Sequence, residues 1–413
     1  MRTTLGRPFW TLWSSYATSN LGDGLNLVAF PLLALALTDG ATGVAIISAF
    51  RYLPFLVIGL PAGVILDRFG RRRVIIIAQA VRALALLIPV IVVATGWSPL
   101  ALLALSGFVV GSSEVFTDGG IPALVRNVVA DEHLELANAR LGATEMTANA
   151  IVGPPIGAAL FVVDPTAPFL ASLALYGASA SLLVPLGRVI ARGARHHDDG
   201  DEEVDFSLAE LTAGLRYVLG HPVVRPLAFA VALFSFVGTA TETVLVILVV
   251  DELELSSFAF GLVATASAVT AVAMSFVVTR VIGRWGHAAS MRFAVVTYAL
   301  ASILFGVAPG FGLLIVASAV EGVSMPAWNV VSSTVRQRLV PDRVFGRMMT
   351  AYLFVAWSMQ PVGALVAGLV ADRWGADRVF YAAAVIVGSL LVVARPLFRR
   401  ITAAMADPTT VPG

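Results

Sequence analysis

The chain has 413 residues, of which 58% are hydrophobic and 13% charged, with a mean hydropathy of +0.88 and a formal net charge of +1. This lies outside the usage of soluble globular domains, and the apolar residues come in repeated runs of about 20, the length that crosses a hydrocarbon layer. A balanced charge leaves no footprint for nucleic acid, and the absence of cysteine excludes disulfides, thiolate metal sites and cysteine nucleophiles. All 27 basic residues are arginine, which reflects GC-rich coding rather than function.

The N-terminal stretch MRTTLGRPFW carries two arginines ahead of a long apolar segment and shows no small-residue cleavage site, so it reads as a retained first helix. Apolar runs bounded by charge, Gly and Pro predict twelve spans, at roughly 10–37, 42–66, 74–95, 99–122, 140–163, 167–187, 223–250, 256–280, 289–308, 311–333, 346–371 and 377–397. The arginines fall on alternate loops: Arg2 and Arg7, Arg68 to Arg73, Arg126 and Arg140, the Arg188 to Arg225 group, Arg280 to Arg292, Arg336 to Arg347, and Arg395 to Arg400. The intervening loops have none except DRWGADR, whose two arginines are balanced by Asp372 and Asp377. The arginine-rich side is therefore expected to be the cytoplasm, with both termini on it.

One segment breaks the rhythm of short loops. Residues 188–222 form a cytoplasmic linker that separates a bundle of six spans, 1–187, from a second bundle and short cytoplasmic tail, 223–413. The linker begins as a solvated charge run. It continues with Phe206, Leu208, Leu211, Leu215 and Val218 at helical spacing, which predicts an amphipathic helix lying on the membrane face or on the bundle. His196 and His197 stand side by side in the acidic part and read as solvated residues, not as a metal site.

After the second span comes Gly63-Val64-Ile65-Leu66-Asp67-Arg68-Phe69-Gly70-Arg71-Arg72-Arg73. Gly63 suits close helix approach, Gly70 a tight turn, Asp67 a position facing helix N-termini, and the arginines hold the loop inside. A plain positive-inside loop explains the arginines but not the Gly and Asp spacing. The run resembles the signature between the second and third helices of the major facilitator superfamily, with Arg72 where lysine is usual. In the fifth span, Gly153-Pro154-Pro155-Ile156-Gly157 resembles the antiporter element of that superfamily. Stretches in span one, before span five and near the end resemble its bacterial macrolide and siderophore exporters, so the resemblance covers nearly the whole chain.

The resemblance implies an all-α membrane protein with twelve transmembrane helices in two six-helix bundles of the major facilitator fold. It implies a loop that locks one conformation through Gly63, Asp67, Arg68, Gly70, Arg71 and Arg72, with Asp118 placed to receive Arg71. It also implies export, with Gly153, Pro154 and Gly157 shaping span five. Two departures stand out. Span four lacks the arginine found in many proton-coupled exporters of the superfamily and offers Glu114 and Asp118 instead, and TRVIGRWGHAAS between spans eight and nine copies the first motif without its Asp.

A charge near the bilayer centre costs at least about 2.5–3.5 kcal/mol and asks for a partner or a cavity. Asp23, with Asn20 and Asn26 three residues to either side, and Arg51 are expected at similar depth and so as a pair. Arg82 is expected to snorkel inward. Glu114, Glu145, Glu242 and Glu321 complete the candidates for proton or substrate binding.

The expected activity is secondary transport by alternating access, as a proton-coupled exporter of hydrophobic or amphipathic small molecules of multidrug, macrolide or siderophore-like kind. The nearest alternative is a facilitator dedicated to one metabolite, imported or exported. An intramembrane enzyme fits poorly: every histidine falls in a loop or at a span end, and no phosphate-binding loop is present. The proton gradient stands in for a cofactor, no metal is expected, and the partners are a small-molecule substrate and the lipid bilayer of a bacterial inner membrane, with the monomer as the working unit.

Overall fold

The computed structural model describes residues 5–38, 40–97, 99–187 and 208–406. The described residues contain no strand. Among the described residues, eleven helical stretches are long and apolar enough to cross a membrane, and a bent pair taken as one span makes a twelfth. This is the arrangement a bilayer imposes, because only helices satisfy every backbone group internally across hydrocarbon without closing a barrel.

Span one is α1 (Arg7–Leu37), and span two is α2 (Ala41–Val57) with α3 (Gly59–Phe69), bent by 66°. Span three is α4 (Arg71–Ala85) with α5 (Leu87–Thr95), and span four is α6 (Leu100–Val125). Span five runs from α7 (Leu134–Glu145) through a π-helical stretch, Met146–Val152, into α8 (Gly153–Val163); span six is α9 (Ala167–Leu183). The π stretch ends where Pro154 and Pro155 follow. Neither proline has an N–H to donate, and the wider turn relieves the clash of their rings with the preceding carbonyls, with Gly153 N–H reaching back five residues to the Ala148 carbonyl.

The linker helix is α10 (Leu208–Gly220), in the expected place, with Val218 buried and Leu215 packed against the apolar core. At Gly214 a Cβ would lie 2.3 Å from the Arg347 carbonyl oxygen, so the glycine admits the close crossing. The remainder of the linker, with His196 and His197, lies outside the described residues. Spans seven to twelve are α11 (Val224–Val246) with a π stretch Ile247–Glu252, α12 (Ser257–Trp285), α13 (His287–Gly306), α14 (Phe311–Leu339), α15 (Asp342–Trp374) and α16 (Ala376–Val393). A further helix, α17 (Arg395–Ala406), follows where a tail was expected; Leu397, Phe398 and Ile401 bury one face of it in the core.

The chain divides into two compact units, residues 1–37 with 50–206, and residues 38–49 with 207–413. The first has an apolar core that includes Phe9, Leu12, Ile75, Leu124 and Leu183; the second is built around Trp328, Tyr352, Phe234, Tyr298 and Met291. Within the second unit, Asp372 accepts from the backbone N–H groups of Ala41 (2.5 Å) and Thr42 (3.0 Å) and from the Thr42 hydroxyl, capping the first turn of α2. Glu252 caps α16 likewise, accepting from Ala376 N–H at 2.6 Å. Both carboxylates complement a helix N-terminus.

Candidate functional site

The polar centre of the first unit is built on spans one, three and six. On α1, Ser15, Ser19, Asp23 and Asn26 recur at helical spacing, and all four are buried. Gln79 and Arg82 face them from α4, and Ser172, Tyr176 and Ser179 from α9, again buried. Gly22 makes room: a Cβ there would fall 2.7 Å from the Tyr176 ring.

Arg82 is the hub. Its Nη1 lies 2.7 Å from Asp23 Oδ1, its Nε donates to Gln79 Oε1 at 2.8 Å, its Nη2 donates to the Ser19 hydroxyl, and its guanidinium stacks 3.8 Å above the Tyr176 ring centroid. The Tyr176 hydroxyl donates to Asp23 at 2.8 Å and accepts from Asn26 at 2.9 Å; Gln79 Nε2 donates to Ser19 and Ser179. Such a buried charge pair holds only because its remaining donors and lone pairs are also met.

This corrects two expectations. Asp23 pairs with Arg82, not with Arg51, and Arg82 is fully buried rather than snorkelling to the surface. Arg51 instead meets Glu114 on α6, at a longer 3.4 Å, and its Nη1 is buried without a hydrogen-bond partner. Helix contact sets this up: at Gly111 a Cβ would stand 2.2 Å from the Arg51 carbonyl oxygen, so α6 and α2 touch backbone to backbone there.

Glu145, at the end of α7, accepts from the Tyr16 hydroxyl at 2.8 Å, and Asn20 donates to the Tyr16 carbonyl at 3.0 Å. Asp118 lies one turn beyond Glu114 on α6. It does not receive Arg71, which pairs with Asp67 at 2.9 Å, one turn back and exposed. Gly70 turns the chain with φ of +83°, as expected, and Gly63 and Arg68 lie on α3 just before it. Arg72 does what its position had not suggested: it donates to the carbonyls of Leu183 (2.8 Å) and Val184, tying the loop to the C-terminal end of α9.

The Gly153-Pro154-Pro155-Ile156-Gly157 element is a contact surface. A Cβ at Gly153 would lie 2.5 Å from the Gly24 Cα, and one at Gly157 would lie 2.6 Å from the Leu25 carbonyl oxygen, so span five seats directly on span one beside Asp23. Pro154 is buried in the same seam.

In the second unit, Glu242 on α11 and Glu321 on α14 interact electrostatically with each other and with the Tyr298 hydroxyl, which is 3.2 Å from the Thr241 hydroxyl. Residues that sequence reasoning missed are Ser15, Ser19, Gln79, Tyr176 and Ser179. Their signal was present as a stripe of small polar residues along span one and the i, i+3 pair Gln79 and Arg82.

Twelve spans, with a buried and a half-buried ion pair on the spans of one unit and two carboxylates on the spans of the other, define a polytopic carrier rather than a soluble or single-span protein. The sequence profile described as transmembrane secretion effector matches residues 5–410, and the chain belongs to this branch of the major facilitator superfamily. It is a small-molecule transporter and not an enzyme.

Among its relatives, the multidrug efflux pump Tap of Mycobacterium tuberculosis is 26% identical, over 97% of this chain and 96% of the pump. Macrolide efflux protein A of Streptococcus pyogenes is 20% identical, over 93% and 94%. A bacterial homologue of the iron transporter ferroportin in an inward-facing state superposes with a TM-score of 0.70 at 18% identity, covering 97% of this chain and 99% of its own. A mutant of the nucleoside transporter NupG gives 0.72 at 12%, covering 96% and 99%. These two share the fold.

Proposed function

We propose that the protein is a proton-driven exporter of hydrophobic or amphipathic small molecules, working as a monomer by alternating access in a bacterial inner membrane with both termini in the cytoplasm. The export of drug-like molecules is supported by relatives named for multidrug and macrolide efflux. Orientation is supported by the arginine distribution.

The observation that carries the coupling is the loose pair Arg51 and Glu114. Its bridge is 3.4 Å long and leaves one guanidinium nitrogen free, whereas Asp23 and Arg82 are held by a full set of bonds. A proton arriving on Glu114 removes the counter-charge of Arg51, and a substrate oxygen offered to the free nitrogen replaces it. The tight network around Arg82 then serves as the frame, and the 3.4 Å pair as the exchange point. A membrane potential contributes about 2.3 kcal/mol per charge for each 100 mV.

Substrate-dependent proton flux in proteoliposomes tests this. Addition of a macrolide or a cationic dye should release an imposed pH gradient with the wild type and leave it standing with Glu114→Gln. Drug transport that ignores the pH gradient would overturn proton coupling, and a flux elicited by a single metabolite and no drug would overturn the broad substrate class.

A further inference from the structure

The inner end of span eight carries a feature that the transport cycle does not use. Val277, Arg280, Val281, Arg284 and Trp285 on α12 line an open groove of about 350 Å³. Arg280 and Arg284 are one turn apart and share a helix face, both are exposed, and neither forms an ion pair or hydrogen bond among the described residues. Neither α12 nor α13 contains an Asp or Glu, so the two helices that form this corner supply no counter-charge.

A comparison within the chain shows what has been lost. The first signature loop reads Asp67-Arg68-Phe69-Gly70, and this one reads Gly283-Arg284-Trp285-Gly286. The turn is preserved: Gly70 has φ of +83° and Gly286 +82°. The carboxylate is not, for Gly283 stands where Asp67 stands, and Asp67 is the internal partner of an arginine. The second copy keeps the turn and Arg284, the counterpart of Arg68, but has lost both the carboxylate and the arginine it pairs with, since His287 stands where Arg71 stands.

The surroundings say where an anion comes from. Moving from the groove toward the middle of the span, Val277, Phe276 and Val269 are 40%, 74% and 48% exposed, a strip that hydrocarbon must cover. At the other end, Trp285 is 51% exposed and stacks edge-on against Phe293 with ring centroids 5.4 Å apart, the placement of an interfacial anchor. Apolar strip, two guanidiniums and an indole follow one another in the order of acyl chain, phosphate and headgroup.

We propose that Arg280 and Arg284 form a binding site for the phosphate of an anionic phospholipid in the leaflet on the arginine-rich side, with an acyl chain lying along Val277 and Phe276. The bound lipid supplies the counter-charge that neither helix of this corner provides. A polybasic site at the membrane surface prefers anionic over zwitterionic headgroups, and two arginines together are worth roughly 30-fold in affinity.

The test uses the full-length protein, delipidated in detergent and titrated with phosphatidylglycerol or with phosphatidylcholine of the same chains, with bound lipid counted by native mass spectrometry. The wild type should retain phosphatidylglycerol preferentially. Arg280→Gln with Arg284→Gln should lose that preference roughly 30-fold, whereas Arg399→Gln, an exposed arginine elsewhere on the same side, should keep it. Gly283→Asp introduces a carboxylate one turn from Arg280 and next to Arg284, at a position where a Cβ meets nothing within 4 Å, and should displace the lipid without unfolding the protein. Equal retention of the two lipids by the wild type, or an unchanged preference in both Gly283→Asp and the double variant, would overturn the site. Displacement of the lipid by millimolar inorganic phosphate would overturn the lipid assignment in favour of a free anion.

Discussion

Asp23 and Arg82 face each other from spans one and three at 2.7 Å, and the Tyr176 hydroxyl from span six closes the triangle by donating to the same Asp23 oxygen at 2.8 Å. Three spans of the first unit are thus tied at one buried point. Removing one partner leaves an uncompensated charge, at a cost of about 3–5 kcal/mol. Asp23→Asn and Arg82→Gln should each lower abundance and melting temperature sharply in detergent-purified protein. The two together should recover much of that stability, because replacing a buried pair by neutral groups is often close to neutral. A double variant as unstable as the worse single one would contradict the framing role.

Arg51 and Glu114 should behave in the opposite manner. Their longer contact and partial exposure make a smaller contribution to folding than the Asp23 and Arg82 pair, so Arg51→Gln and Glu114→Gln should each lower melting temperature less than Asp23→Asn or Arg82→Gln does. Drug efflux driven by a pH gradient should fall at least tenfold in each. Normal efflux at normal abundance would leave Glu242 and Glu321 as the groups to examine.

The seam between spans one and five gives a packing prediction. Gly153→Ala would place a methyl 2.5 Å from the Gly24 Cα, contact that backbone cannot yield to without moving a helix, and overpacking of this kind costs about 1–3 kcal/mol. Gly177→Ala, at a position with nothing within 4 Å, is the matched control and should be neutral or slightly stabilising. Melting curves of the two variants decide it.

The positions of the spans were legible because the hydrocarbon thickness writes itself into run length, and the linker helix because Leu211, Leu215 and Val218 keep the helical period. Pairing was not legible. Asp23, Arg51 and Arg82 all lie well inside their spans, and depth does not say which way a side chain points around its helix. Rotation is set by features such as the Gly111 contact with Arg51 and the space Gly22 leaves for Tyr176, which appear only once helices are packed. The same limit hid α17: Arg395, Arg399 and Arg400 read as a flanking basic tail, although Leu397, Phe398 and Ile401 carry a buried face. The turn at Gly70 was readable from sequence because it is local; the destination of Arg72, on the carbonyls of span six more than a hundred residues away, was not.

Topology can be tested directly, since the native chain has no cysteine to interfere. A cysteine at Trp97, 67% exposed in the loop between spans three and four, should react with an impermeant thiol reagent added to intact cells. One at Gly283, exposed at the end of span eight, should react only after the cells are opened. The reverse pattern would invert the orientation.

His221 lies in the loop that joins α10 to span seven. Its ring is buried, and Nδ1 accepts from the backbone N–H groups of Val223 and Val224, both at 3.2 Å, so a neutral imidazole caps the start of α11. Protonation destroys the acceptor and places a cation at the positive end of a helix dipole. Burial lowers the His221 pKa below its ordinary value of 6.5. The unfolded chain therefore takes up the proton first as pH falls. Where the unfolded state binds more protons, stability increases with pH, so this contribution is complete above about pH 6.5 and is lost progressively below it. Melting temperature measured between pH 8 and pH 5 should decline on the acid side in the wild type. His221→Asn keeps a capping oxygen that does not titrate in this range, and should flatten that decline while leaving stability at pH 8 within about 1 kcal/mol. His221→Leu removes the cap altogether and should lower stability at every pH. An acid decline of the same size in wild type and His221→Asn would assign it to other groups and remove the histidine cap from the account.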